Sequence, residues 1–180
     1  MERRGKQEDA YIQLARQTVE TYVRTGKELE VPAGLPKEMY QDRAGVFVSI
    51  KEEGQLRGCI GTLQAVQPSI AGEIIQNAIS ASSKDPRFPP IQAKELDKLV
   101  ISVDVLGPME EISAPGMLDV KRYGVVVTKG YRRGLLLPNL EGVDTVEEQI
   151  AIAKQKAGIG YGEKVKLERF EVIRHERGAQ

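Results

Sequence analysis

The sequence predicts an α+β fold, a mainly antiparallel sheet built from hairpins and flanked by helices. Three observations carry that expectation. Two stretches, "GVFVSIKEEGQLRGCIGTL" and "YGVVVTKGYRRGLLLP", read as strand pairs around a glycine-bearing turn. The helical segments stand between hairpins and do not alternate strictly with single strands, so the parallel βαβ pattern is not met. The 180 residues are 41% hydrophobic and 29% charged, enough apolar material for the core of one domain.

Element by element, "DAYIQLARQTVETYVR" (9–24) keeps apolar residues at three-to-four spacing and reads as an amphipathic helix that stops at Gly26. Pro36 opens a short helix through Tyr40. In the first hairpin, Val46, Val48 and Ile50 share one face. Alternation along the second strand puts Leu56, Gly58, Ile60 and Thr62 on a core face and Arg57, Cys59, Gly61 and Leu63 on the other. Pro68 begins a helix that runs to Ser82, with Ile70, Ile74, Ile75, Ala78 and Ile79 as its buried stripe. The prolines of "SSKDPRFPPIQ" make the next segment a stiff loop. Residues 93–97 add a helical turn, and "KLVISVDVLGP" is the clearest alternating strand. Residues 107–121 read as a connection. The second hairpin turns near Lys129-Gly130. Asp144 and Glu147 resemble a capping box before a helix that ends at Ala157 and Gly158, and "EKVKLERFEVIRHE" forms one last strand. That makes six strands and three main helices in a single domain, 1–180.

Charge and residue counts narrow the function classes. The 26 basic and 26 acidic residues balance, which disfavours nucleic-acid binding, as does the lack of an aromatic base-stacking pattern. One cysteine rules out an internal disulfide and fits a reducing, cytoplasmic setting. With one His and one Cys, no zinc-type ligand set is expected, and no metal or cofactor is assigned. The opening "MERRGKQEDAY" has no apolar signal-peptide core, and no run approaches a membrane span. No oligomeric state is implied.

Three stretches hold residues able to do chemistry. In "GQLRGCIGT", Arg57 on the same face as Cys59 would lower the thiol pKa, and glycines 58 and 61 would leave room beside the sulfur. The competing reading is a small buried hydrophobe, with the glycines serving close packing. In "DPRFPP", Asp85, Arg87 and Phe88 sit on a stiff loop, as a binding site or as a local cap. In "KGYRRGLLLP", Arg132 and Arg133 supply bidentate anion donors or a solvated hairpin tip. The glycine spacing matches neither a Walker loop nor a dinucleotide fingerprint. His175 is expected to be exposed near the C-terminus and not catalytic.

With "LRGCIGT", "DPRFPP" and "RRGLLLP" in order, the chain resembles the AMMECR family, the Alport-syndrome/elliptocytosis chromosomal-region protein family. The resemblance runs from the first helix to "ERFEV". It implies a larger lobe with an antiparallel sheet and helices, a smaller lobe, and a cleft between them. It also implies kinship to component A of the AmmeMemoRadiSam system, whose neighbours are a Memo-like protein and a radical SAM protein; these are the expected partners. The site residues it suggests are Arg57, Gly58, Cys59, Ile60 and Gly61, then Asp85, Arg87 and Phe88, then Arg133 and Gly134. It implies no particular reaction. The leading expectation is a site for a small anionic molecule, possible ground for thiol chemistry. Cys59 would be nucleophile or redox thiol, Arg57 its activator, Asp85 a base or arginine-orienting group, and Arg87 or Arg133 the anion contact. The rival is a non-catalytic binding or regulatory subunit.

Overall fold

The computed structural model describes residues 8–178, so residues 1–7 of the stretch read for a signal peptide lie outside the described residues. In chain order the elements are α1 (Ala10–Thr25), α2 (Lys37–Gln41), β1 (Val46–Glu52), β2 (Gln55–Gly61), α3 (Ile70–Ser83), β3 (Leu99–Leu106), β4 (Glu110–Ile112), β5 (Gly124–Lys129), β6 (Arg132–Leu136), α4 (Val146–Lys156), β7 (Lys166–Phe170) and β8 (Val172–His175). Short 3-10 turns cover Ala93–Lys98 and Pro115–Met117. The architecture is α+β. No helix among the described residues is long and apolar enough to cross a membrane.

Contacts divide the chain into two compact units: one runs to Leu106 and takes in the segment from Ile173 onward, and the other is Gly107–Val172. The first unit holds a sheet in the order β2-β1-β3-β8. Helix α1 starts where the Asp9 carboxylate accepts the Ile12 N–H at 3.0 Å, and it ends at Gly26, whose φ of 71° suits only a residue without Cβ strain. Helices α1 and α3 pack on the sheet face that carries Val46, Val48, Ile50, Ile101 and Val103, all of them buried. Each fully buried isoleucine or valine contributes about 2 kcal/mol of transfer free energy, so this layer dominates the unit's stability. The opposite face carries Phe47, Ser49, Cys59 and Ser102, because Ser49 pairs with both Cys59 and Ser102 across the ladders.

The β1–β2 turn forms where expected, with Glu53 and Gly54 at φ 53° and 79°. Strict alternation along β2 fails, however. Gly58 pairs with Ile50 and Leu56 with Lys51, so Arg57 is the extra residue of a β-bulge. Ile60 packs against the core, but Leu56 is exposed, contrary to the expected core face.

The second unit holds a sheet in the order β4-β7-β5-β6, with α4 packed on β5 and β6. Three expectations change here. The connection 107–121 contains β4, which pairs with β7. The single final strand breaks after Phe170 into β7 and β8, which belong to different sheets. The cap of α4 is Thr145, which accepts the Glu148 N–H at 3.1 Å, one residue later than the Asp144 reading.

Candidate functional site

Two of the three motif stretches meet at the outer edge of the first sheet. Strand β2 is an edge strand, so one side of its backbone has no ladder partner among the described residues. At Cys59 that side is taken by the "DPRFPP" loop. The Asp85 carboxylate accepts the Cys59 N–H at 3.0 Å, and Arg87 Nη2 donates to the Cys59 carbonyl at 3.3 Å. Asp85 and Arg87 are themselves paired, Nε to Oδ1 at 3.0 Å and Nη2 to Oδ2 at 2.8 Å. The pair thus closes a ring around one residue's backbone. Prolines 86, 89 and 90 hold the loop stiff, and its turn is fixed by the Phe88 N–H donating to the Asp85 carbonyl at 3.1 Å.

The Cys59 thiol lies on the sheet's outer face, half-buried, with Sγ 3.2 Å from Ser49 Oγ. Arg57 was expected to be the activating cation. Instead its Nε and Nη2 grip Glu95 at 2.9 and 3.2 Å, and Nη1 donates to the Pro89 carbonyl at 2.8 Å. All three guanidinium nitrogens are committed, and Glu52 stands 3.8 Å away. The bulge accounts for the change, because it takes Arg57 out of the ladder that carries Cys59. Arg87 is in electrostatic contact with Cys59, and its pKa is raised mainly by the Asp85 carboxylate and further by Cys59.

Asp85 is not placed to be a base. Its side chain is 2% exposed, and the hydrogen bonds from Arg87, then those from the Cys59 and Arg87 backbone N–H groups, hold its pKa at about 2 despite burial. Such a carboxylate is a weak proton acceptor at neutral pH. Glu95 is held at about 2 in the same way, first by Arg57, then by the Gln92 N–H. Glu52 moves the other way, raised by burial and by the neighbouring Glu95.

Neither Gly58 nor Gly61 leaves open space where a side chain would stand. A Cβ on Gly58 would come 2.1 Å from the Ala81 carbonyl of α3, and one on Gly61 would come 2.2 Å from the Phe47 ring. Both glycines therefore serve close packing. Ile60 turns inward to the core. Phe88 lies beside Arg87, whose Cζ is 5.4 Å from the ring centroid. Arg133 and Gly134 belong to the second unit. Arg133 is 3.7 Å from Glu168, and a Cβ on Gly134 would come 2.1 Å from the Ala153 carbonyl, so this glycine also serves helix-on-strand packing.

The AMMECR1 family model matches residues 12–175 of the chain. This chain belongs to the AMMECR1 family. A Thermotoga maritima protein is 51% identical to it over 170 residues, covering 93% of the chain and 98% of the relative. A Clostridium acetobutylicum protein is 48% identical over 175 residues, covering 97% of this chain and 37% of that longer relative. Among solved structures, an uncharacterized protein of Pyrococcus horikoshii superposes with a TM-score of 0.84 at 36% identity, covering 94% of this chain and 92% of that one.

In this AMMECR1 domain three groups escaped the sequence reading. Glu95 is one, although "QAKE" at 92–95 has the spacing of a capping box and indeed forms one. Ser49 is another, visible only once the hairpin register is known. The third is His175, which was expected to be an exposed terminal residue. It stands in β8 with Nδ1 2.6 Å from Asp9 Oδ2, and its ring stacks on Tyr11 at 3.8 Å. Among the described residues no group of three or more His, Cys, Asp or Glu side chains is arranged to hold a metal.

Proposed function

We propose that the Cys59 edge of the first sheet is a recognition site for a small molecule bearing an anionic group, with Arg87 as its contact and the thiol alongside. The observation that carries this reading is the contrast between two arginines. Every nitrogen of Arg57 is committed within the protein. Arg87 is 51% exposed, and its Nη1 has no hydrogen-bond partner among the described residues. A guanidinium face anchored on one side and open on the other is suited to a carboxylate or phosphate oxygen. With Asp85 held at about 2, the carboxylate bonded to Cys59 is a weak proton acceptor, which favours binding over acid–base catalysis.

Cys59 is the only cysteine, so alkylation reports on this site alone. Inorganic phosphate, added at constant ionic strength, is expected to slow the reaction of Cys59 with iodoacetamide. The protection should disappear in Arg87→Ala, weaken in Arg87→Lys and persist in Arg133→Ala. Alkylation indifferent to phosphate, or protection that survives Arg87→Ala, would exclude Arg87 as the anion contact.

A further inference from the structure

A cavity of about 500 Å³ in the first unit, formed by residues of α1, the α2 segment and β8, uses none of the Cys59 residues. Its lining includes Tyr11, Glu38, Asp42 and His175, with apolar surface from Ile70 and Val105. We propose that this cavity binds a small cationic amine with an apolar body.

The polar lining is rich in acceptors that the protein leaves open. The Tyr11 hydroxyl donates to Glu38 Oε1 at 3.1 Å, which leaves Oε2 available. The Asp42 carboxylate has no hydrogen-bond partner among the described residues, and its backbone alone is engaged, with Glu38 and Ile70. His175 has its Nδ1 fixed by Asp9 and its ring held against Tyr11 with an interplanar angle of 12°. His175 Nε2 has no partner among the described residues. The lining cation, Arg43, is turned to the Gln67 and Ala65 carbonyls at 3.0 and 3.5 Å.

Two carboxylates with open oxygens, Glu38 and Asp42, call for a ligand that donates several hydrogen bonds and carries positive charge. An ammonium group has three donors and no acceptor, whereas a carboxylate or phosphate would meet like charge. Ile70, Val105 and Ile173 would take the apolar body, and the volume lies in the range of small-molecule sites. The Asp9–His175 pair acts as the positioning element. It is 166 residues apart in sequence and joins the N-cap of α1 to β8 at the wall of the cavity. This inference does not rest on the Cys59 reading.

His175 is the only histidine, so in untagged protein its imidazole proton signals report on this cavity without assignment. Phenethylamine serves as probe, with 3-phenylpropanoate and 2-phenylethanol as anionic and neutral counterparts of similar shape. The expected result is a saturable shift of the His175 signals with the amine and none with the carboxylate. Glu38→Gln and Asp42→Asn, which keep shape and an acceptor oxygen, should each raise the amine's Kd about tenfold, the size of one lost charge-assisted hydrogen bond. Equal shifts for all three probes would reduce the cavity to an apolar crevice and overturn the proposal. So would the absence of a saturable shift with the amine, or an unchanged Kd in both folded variants.

Discussion

Asp85 accepts the backbone N–H of Cys59 at 3.0 Å, a bond that ties the two motif stretches of the first unit together. Edge strands need their open backbone groups covered, since they otherwise invite pairing with another chain. Asp85 covers the donor at Cys59, and its partner Arg87 covers the acceptor.

Removing Asp85 therefore has two consequences. Asp85→Ala leaves the Cys59 N–H unpaired and strips Arg87 of its buried anion, which should cost about 3 kcal/mol. Asp85→Asn keeps an acceptor oxygen and should cost less than the alanine variant. Urea denaturation of the three proteins checks the order. Equal stability of wild type and Asp85→Ala would show that the carboxylate does not hold the edge.

The same carboxylate sets an acid limit. Its folded pKa of about 2 lies below the ordinary 3.8, so the folded state binds this proton less readily than the unfolded state. Its contribution is complete above about pH 4 and is lost as the pH falls through 4 towards 2. Glu95, also at about 2, adds a loss over the same window, while the raised Glu52 opposes it by taking up a proton in the folded state. Unfolding midpoints measured from pH 5 down to 2.5 should fall steeply in wild type and less steeply in Asp85→Asn. Parallel curves would remove Asp85 from the acid response.

Local chemistry made much of this fold legible. The turn at Glu53-Gly54 and the Gly26 stop are stated by single residues that tolerate positive φ, and the helices by apolar spacing. The site was legible only in composition. Arg57, Cys59, Asp85 and Arg87 could be named, but their pairing could not. The bulge that diverts Arg57 leaves no mark in "QLRGCIG", because a one-residue slip preserves every residue type while changing every neighbour. Contacts such as Arg57 to Glu95, 38 residues apart, and His175 to Asp9, 166 apart, exist only after the sheet has formed. The split of the final strand at Glu171 is tertiary in the same sense, since both halves have strand composition and differ only in the sheet they join.

Glycines 58 and 61 are predicted to fail differently. At Gly58 the obstacle is the backbone carbonyl of Ala81, which cannot rotate away, so Gly58→Ala should cost about 3 kcal/mol with no easy rescue. At Gly61 the obstacle is the Phe47 ring, a side chain. Gly61→Ala should therefore be destabilising alone and largely neutral when tested in a Phe47→Ala background. Thermal melts of the single and double variants decide it. Additive losses at 47 and 61 would show that the ring is not what requires the glycine.

Arg57 and Glu95 should behave as one unit. The Arg57 side chain is 13% exposed, grips Glu95 through two nitrogens, and sits between Glu95 and Glu52. Arg57→Ala would leave two neighbouring carboxylates without their cation and the Pro89 carbonyl without its donor, a loss of about 3 kcal/mol. Glu95→Gln should cost less, because Gln keeps an acceptor for Nε and relieves Glu52 of a like charge. Made together, the two changes remove the pair, so the double variant should be more stable than the sum of the single losses implies, with a coupling of about 1–3 kcal/mol. The full cycle by urea denaturation measures that coupling. A value near zero would return Arg57 to the role of a surface charge and reopen it as a contact for ligand.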